Sequence, residues 1–277
     1  MDSLRPVLPT RALAPLAAAA ACALSAVLVW LTAYHLAPFE AIDQRTFDGF
    51  LGLSRPAITQ WATHLSHLAD PGPFALFAAA LVIGALARRA PRTALAVAII
   101  LLGSNVTTQL LKPALALPQA FPGIDTATWP SGHATATMSL VLCLQLVAPA
   151  RLRPAAAALG GLLAVGIGYS ILILGHHEPS DVLGGFLVAG TWTGLVVAVL
   201  RTAAPGRDRA LRTSATLVPV AAAGAAVSAV ASVFALGHRE GVIDYAATHT
   251  TFMAGAAVLA VGAMAMSTVT ALALARD

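Results

Sequence analysis

Two short polar clusters in an apolar chain have residue types and spacing suited to phosphoryl chemistry. The sequence Pro-Ser-Gly-His occupies residues 130–133, and His177 precedes Asp181 by four residues. Side chains four apart on a helix lie together. A carboxylate bound to one imidazole nitrogen leaves the other nitrogen free to attack phosphorus. A second histidine, His133, can protonate the leaving oxygen. These clusters therefore predict a nucleophile, its orienting carboxylate and an acid.

The first cluster also predicts an anion site at the start of a helix. Proline suits the first turn because it has no N–H to leave unsatisfied. The free N–H groups that follow it, near Gly132 and His133, attract anions together with the helix dipole. Gly132 permits close backbone approach, Ser131 offers a hydroxyl donor, and Lys112 upstream supplies a positive charge for phosphate.

Composition indicates an integral membrane protein. The 277 residues are 58% hydrophobic and 10% charged, whereas soluble domains have about 25% charged residues. Apolar runs of about 20 residues, the length needed to cross a bilayer, recur along the chain. The net charge of +4 does not indicate nucleic acid as a partner, because the arginines lie between the apolar runs and not in one patch.

We predict an all-α, polytopic transmembrane helical bundle with about eight spans. The first span is interpreted as a membrane helix, with a signal peptide as the less favoured alternative. The predicted spans cover residues 12–34, 73–87, 93–112, 131–149, 155–175, 181–200, 213–236 and 250–275.

The placement of Lys and Arg predicts the orientation of these spans. With the N-terminus in the cytoplasm, every one of the 16 Lys and Arg residues except Arg45, Arg55, Lys112 and Arg239 falls inside. Lys112, the first cluster and the second cluster then reach the outer face together. The segment 38–73 is too polar to span, and its pattern fits either interfacial amphipathic helices or a packed lid.

The clusters resemble the motifs of the type-2 phosphatidic acid phosphatase family, also called lipid phosphate phosphatases. That family has the motifs Lys-x6-Arg-Pro, Pro-Ser-Gly-His and Ser-Arg-x5-His-x3-Asp. The second motif is complete at residues 130–133, the third matches at Ser170, His177 and Asp181, and the first keeps Lys112. The resemblance covers roughly residues 12–200.

The resemblance implies that His177 becomes a phosphohistidine, that Asp181 orients it, and that His133 protonates the leaving group. It implies that Lys112, Ser131 and Gly132 hold phosphate oxygens, with no metal or other cofactor.

Three positions depart from the family motifs. Gln119 and Ala120 replace the Arg-Pro of the first motif, and Ile171 replaces the arginine of the third. Arginine binds phosphate through two charge-assisted hydrogen bonds in one plane. Glutamine can donate hydrogen bonds but carries no charge, and isoleucine has neither a hydrogen-bond donor nor a charge. Gln119 is thus a candidate phosphate ligand, and Arg239 is a candidate replacement cation.

These observations favour a two-part organisation: a six-span phosphatase-like core at residues 1–200 and two further spans at 201–277. The expected function is hydrolysis of a lipid phosphate or diphosphate, of the polyprenyl diphosphate or phosphatidate type, at the outer face of a bacterial cytoplasmic membrane. The alternatives are a lipid-linked phosphotransferase with the same histidine site and a catalytically impaired, lipid-binding homologue. Substrate lipid and membrane are the expected partners, and the oligomeric state is left open.

Overall fold

The computed structural model describes residues 10–115, 129–202 and 239–275, and these segments are almost entirely helical, with no β-strand among them. Proline stands in the first turn of several helices, where its missing N–H removes no hydrogen bond. The helices are α1 (Thr10–His35), α2 (Ala37–Leu51), α3 (Pro56–Ser66), α4 (Pro71–Ala87), α5 (Pro91–Ala114), α6 (Gly132–Val147), α7 (Arg153–Ile173), α8 (Pro179–Thr202), α9 (Arg239–Thr248) and α10 (Thr250–Ala275).

The predicted polytopic helical architecture is confirmed. Within the described segments five helical stretches are long and apolar enough to cross a bilayer: Arg11–His35, Pro91–Ala114, Ala150–Ile173, Pro179–Thr202 and Thr250–Leu274. The chain is therefore an integral membrane protein.

The count of eight spans stays a prediction. Helices α3 and α4 pass the same test only as a pair bent by 49°, which would make a sixth span. Helix α6 is apolar but has 16 residues, fewer than the roughly 20 that cross a bilayer unaided. The predicted span 213–236 lies outside the described residues.

Helix α2, in the segment for which the sequence allows either interfacial helices or a packed lid, is packed on one face. Phe47 and Phe50 are 7% and 1% exposed and join the core with Phe252 of α10. The hydroxyl of Tyr245 donates to the Gly49 carbonyl at 2.6 Å. Phe39 on the same helix is 49% exposed. The inner face of α2 thus corresponds to the packed-lid alternative, while its exposed face mixes apolar and charged side chains.

The hydrophobic core runs through α6, α7, α8 and α10. Met138, Ile171 and Phe186 are buried together with Phe252 and Ala263 of the last helix. The boundary predicted at residues 200 and 201 stays a prediction, but α10 shares the core of the preceding helices.

Small residues let α1 approach α8 closely. A Cβ at Gly194 would lie 2.8 Å from the Pro15 carbonyl oxygen and 2.9 Å from Ala19, so only glycine fits there. Gly194 therefore serves helix packing inside the bundle.

Arginines cap helix ends at one end of the bundle. Arg88 donates to the Val147 carbonyl at 2.8 Å, Arg153 to the Leu274 carbonyl at 2.9 Å, and Arg201 to the Ala273 carbonyl. Guanidinium groups suit helix C-termini because the last carbonyls lack intrahelical donors. The two polar clusters lie at the opposite end, as the orientation of the helices requires. Which end faces the cytoplasm stays a prediction.

Candidate active site

The first polar cluster forms the N-terminus of α6. Ser131 is the N-cap residue, and its hydroxyl accepts from the Ala134 N–H at 3.4 Å. The first intrahelical hydrogen bond runs from the Thr135 N–H to the Ser131 carbonyl at 3.0 Å. The N–H groups of Gly132 and His133 precede that bond, so they are placed to bind an anion at the positive end of the helix dipole.

A backbone hydrogen bond joins this helix end to the second cluster. The Ser131 N–H donates to the Asp181 carbonyl at 2.9 Å. A Cβ at Gly185, one turn along α8, would lie 2.7 Å from the Ser131 carbonyl oxygen. Glycine is needed there because any larger residue would separate the two helix starts. The relative position of the two motifs is thus fixed by the backbone.

His177 is held by a fully buried carboxylate. Its Nδ1 lies 3.1 Å from Asp181 Oδ2, and the side chains of His177 and Asp181 are 10% and 0% exposed. Asp181 Oδ2 also accepts the Glu178 N–H at 3.1 Å, and Asp181 Oδ1 accepts the Tyr34 hydroxyl at 2.5 Å. Since a carboxylate only accepts hydrogen bonds, Nδ1 carries the proton and Nε2 keeps its lone pair.

His133 has a carboxylate partner of its own. Its Nε2 lies 3.1 Å from Asp70 Oδ1, and the two side chains are 32% and 41% exposed. Asp70 is the residue before α4, where the chain is extended between a short helical turn and the helix. This second pair is open to solvent.

Lys112 reaches the start of α6. A Cβ built at Gly132 would lie 3.9 Å from the Lys112 ammonium nitrogen and 3.8 Å from the Gln109 amide nitrogen. The hydroxyls of Thr108 and Thr135 meet at 2.9 Å and set α5 against α6. The structure therefore brings together His177, Asp181, Ser131, Gly132, His133 and Lys112, whereas Gln119 lies outside the described residues.

Two comparisons relate this chain to known proteins. Residues 92–205 match the PAP2 superfamily. A crystal structure titled as the first transmembrane PAP2 type phosphatidylglycerolphosphate phosphatase from Bacillus subtilis has a similar fold, with a TM-score of 0.56 and 18% identity over 69% of this chain and 99% of that chain. No curated protein sequence matches the chain.

The matched segment contains both histidines, Asp181 and Lys112, but two of their partners lie outside it. Tyr34 comes from α1 and Asp70 from the segment before α4, both N-terminal to residue 92. Sequence analysis missed these two residues, because no motif spacing connects them with the histidines. The sequence signals available for them were their positions: Tyr34 stands at the end of an apolar span, and Asp70 stands just before the next apolar span.

Ile171 is a core residue of the helical bundle. It is 0% exposed and packs in the cluster that contains Leu172, Val182 and Phe186. Ser170, beside it, donates its hydroxyl to the Gly166 carbonyl of the preceding turn at 2.8 Å. Neither side chain contributes a polar group to the helix start that faces Lys112. The side chain of Arg239, the candidate replacement cation, is not among those described.

Further acidic groups surround the loop that carries His177. Burial, followed by the nearby charges of Asp43 and Asp181, raises the pKa of Glu178 to about 7, although a hydrogen bond from Gln44 opposes the rise. Burial and the Asp181 charge likewise raise the pKa of Asp43 to about 7, against hydrogen bonding from Ser180. These carboxyl groups titrate near neutral pH.

His176 lies close to both catalytic candidates. Burial lowers its pKa, and the charges of His177 and His133 lower it further. Three imidazoles therefore share one region. Among the described residues no group of three or more His, Cys, Asp or Glu side chains is arranged to hold a metal ion, and the expectation of a metal-free site stays a prediction.

Proposed function

We propose that this membrane protein is a lipid phosphatase that forms a phosphohistidine on His177. The substrate is a lipid phosphate or diphosphate of the polyprenyl diphosphate or phosphatidate type, taken from the outer leaflet. The observation that carries the proposal is the chain of contacts from Tyr34 through the buried Asp181 carboxylate to His177 Nδ1. It leaves Nε2 as a nucleophile held in one orientation.

In the first step, His177 Nε2 attacks phosphorus and the bond between phosphorus and the leaving oxygen breaks. His133 gives its proton to that oxygen, so the lipid leaves as an alcohol or a lower phosphate. The imidazole of His177 becomes cationic as it bonds to phosphorus. The Asp181 carboxylate, shielded from water, stabilises that positive charge.

The phosphate is held by groups at the start of α6. The N–H groups of Gly132 and His133 meet two of its oxygens, and the Lys112 ammonium meets a third. These donors are placed before the substrate arrives, since Ser131 is tied to Asp181 by a backbone hydrogen bond. Lys112 and backbone dipoles thus take over the charge stabilisation that arginines supply in the family motifs.

In the second step, water attacks the phosphohistidine. His133, now neutral, accepts a proton from that water as the bond between phosphorus and Nε2 breaks. Inorganic phosphate leaves, and both histidines return to their starting states. The position of the site at one end of apolar helices suits a lipid whose head group stays near the membrane surface.

The test is phosphate release by the purified full-length protein from a panel of lipid phosphates and diphosphates. We expect His177→Ala to lower release by at least about 10⁴-fold. His176→Ala is the matched control, since it removes a neighbouring imidazole, and we expect it to retain most of the activity. Release that survives in His177→Ala would contradict the proposal.

The same assay distinguishes the alternatives. Addition of lipid alcohols would yield new phosphorylated lipids if the protein is a phosphotransferase. Well-folded protein that neither releases nor transfers phosphate from any lipid would favour the impaired, lipid-binding homologue.

A further inference from the structure

A large cavity lies next to the candidate active site and, like that site, borders the first turn of α8. It has a volume of about 570 Å³ and is bounded by α1, α2, α8 and α10. Volumes of this size accommodate small molecules and lipid segments. Its lining includes Ser180 but none of His133, His177 or Lys112. The cavity is therefore a separate compartment and not the space that phosphate occupies.

One part of this cavity is polar. The Ser180 N–H donates to Asp43 Oδ1 at 3.0 Å. Within the described segments, Asp43 Oδ2 and Ser180 Oγ are buried and make no hydrogen bond of regular geometry, although the hydroxyl is near enough to lower the pKa of the carboxyl. Ser180 is 5% exposed. Buried polar atoms without partners are costly, so this part of the cavity favours a ligand with a polar head.

The rest of the cavity is aliphatic. Val29, Leu183 and Leu259 contribute to its walls, and Val258 links it to the membrane-facing surface, where that side chain is 58% exposed. A ligand that fills the cavity therefore needs a hydrocarbon chain attached to a small polar group.

We propose that this cavity binds a lipid alcohol, with the hydroxyl at Asp43 and Ser180 and the chain between α1 and α10. A hydroxyl can donate to Asp43 Oδ2 and accept from Ser180 Oγ at once. Because the pKa of Asp43 is about 7, the carboxyl is partly protonated at neutral pH. A hydroxyl pairs with either form, whereas an ammonium group pairs only with the carboxylate.

This site extends beyond the proposed phosphatase activity, and its existence does not depend on that activity. Ser180 immediately precedes Asp181, so the ligand contacts the turn that positions the His177 carboxylate. A lipid alcohol is also the chemical class released when a lipid monophosphate is hydrolysed. The cavity is thus placed to hold a product or an acceptor next to the reacting centre.

The test uses a photoactivatable long-chain alcohol with the full-length protein in nanodiscs. Labelling should saturate, map to peptides of α1 and α10, and be displaced by hexadecanol but not by hexadecane. Ala254→Trp fills the cavity and should weaken labelling at least about tenfold. Ala257→Trp, at an exposed position on the same helix outside the lining, is the matched control and should label like the wild type.

Asp43→Leu supplies a second variant, of similar volume, whose side chain cannot hydrogen-bond the alcohol. It should weaken competition by hexadecanol while leaving residual labelling through the chain. Labelling that does not saturate, that hexadecane displaces as well as hexadecanol does, or that is unchanged in both Ala254→Trp and Asp43→Leu would overturn the proposal. Because labelling requires no phosphate release, an inactive protein could still pass this test.

Discussion

The two histidine–carboxylate pairs have the same separation and different surroundings. His177 Nδ1 and His133 Nε2 each lie 3.1 Å from a carboxylate oxygen. Asp181 is 0% exposed and accepts two further hydrogen bonds, whereas the side chain of Asp70 is 41% exposed. Water and salt screen the open pair, so the same distance corresponds to a much weaker interaction there.

This difference fits the tasks that the proposal gives to the two histidines. A nucleophile must keep one tautomer and one orientation, and the buried carboxylate of Asp181 secures both. A residue that donates a proton and then takes one back must exchange protons readily, and an exposed pair allows that. The comparison predicts that disturbing the buried pair costs far more activity than disturbing the open pair.

Asp181→Asn should give the largest effect among the carboxylate variants. The substituted amide can donate to His177 Nδ1, which would move the imidazole proton to Nε2 and remove the nucleophilic lone pair. We expect a fall in kcat of about 10³- to 10⁴-fold, as for the corresponding change in serine protease triads. Steady-state phosphate release measures the fall. A loss below tenfold would show that the buried contact does not control the tautomer.

Tyr34→Phe should have an intermediate effect. It removes the 2.5 Å hydrogen bond to Asp181 Oδ1 but leaves the contact with His177 intact. A hydrogen bond to a charged group contributes about 1.5–3 kcal/mol, so we expect roughly a tenfold to hundredfold loss in kcat with little change in KM. Tyr245→Phe, which loses a hydrogen bond to the Gly49 carbonyl remote from the histidines, is the matched control.

Asp70→Asn should have a small effect that depends on salt. Exposed pairs contribute about 0–1 kcal/mol, so we expect no more than about a fivefold loss at low ionic strength. The loss should shrink further as salt rises, because screening already weakens the wild-type pair. Rates of Asp70→Asn and Asp181→Asn measured across a salt series test the comparison directly. A salt-independent loss of a hundredfold or more at Asp70 would contradict it.

Glu178→Gln should change stability more than activity. The folded pKa of Glu178 is about 7 against an ordinary value of 4.5, so between these values the folded state holds the proton more tightly than the unfolded state. The free energy of unfolding therefore falls as pH rises from about 4.5 to 7. We expect Glu178→Gln to raise Tm by roughly 2–4 °C at pH 8 and to have little effect at pH 4.5.

The exposed Asp48, on the neighbouring helix α2, provides the control for that measurement, since its charge is not among those that raise the pKa of Glu178. Asp48→Asn should leave the difference in Tm between the two pH values close to that of the wild type. If Glu178→Gln does not raise Tm at pH 8, the buried carboxyl of Glu178 does not destabilise the fold.

Much of the fold and of the site could be predicted from sequence because both depend on local patterns. Apolar run length predicts helices, and the spacing from His177 to Asp181 predicts their contact on the first turn of α8. Tyr34, Asp43 and Asp70 could not be predicted in the same way. They reach the site from α1, α2 and the segment before α4 through tertiary packing, for which the sequence offers no fixed spacing.

The polar residues near the end of α5 show the same limit. Thr108 bonds Thr135 across to α6, and Thr107 accepts the Trp192 Nε1–H at 3.0 Å, while Gln109 approaches Gly132. Their sequence does not distinguish residues that join helices from residues that line the site. The structure assigns the two threonines to helix contacts and places Gln109 beside the start of α6.

The most direct test of the account is the chemical identity of the phosphorylated intermediate. The protein is mixed briefly with a substrate carrying labelled phosphate, quenched in base, and digested for mass spectrometry. We predict acid-labile label on Nε2 of His177, because Asp181 occupies Nδ1, and no label in His177→Ala. Label on Nδ1 of that residue, on His133, or on any other side chain would contradict the account.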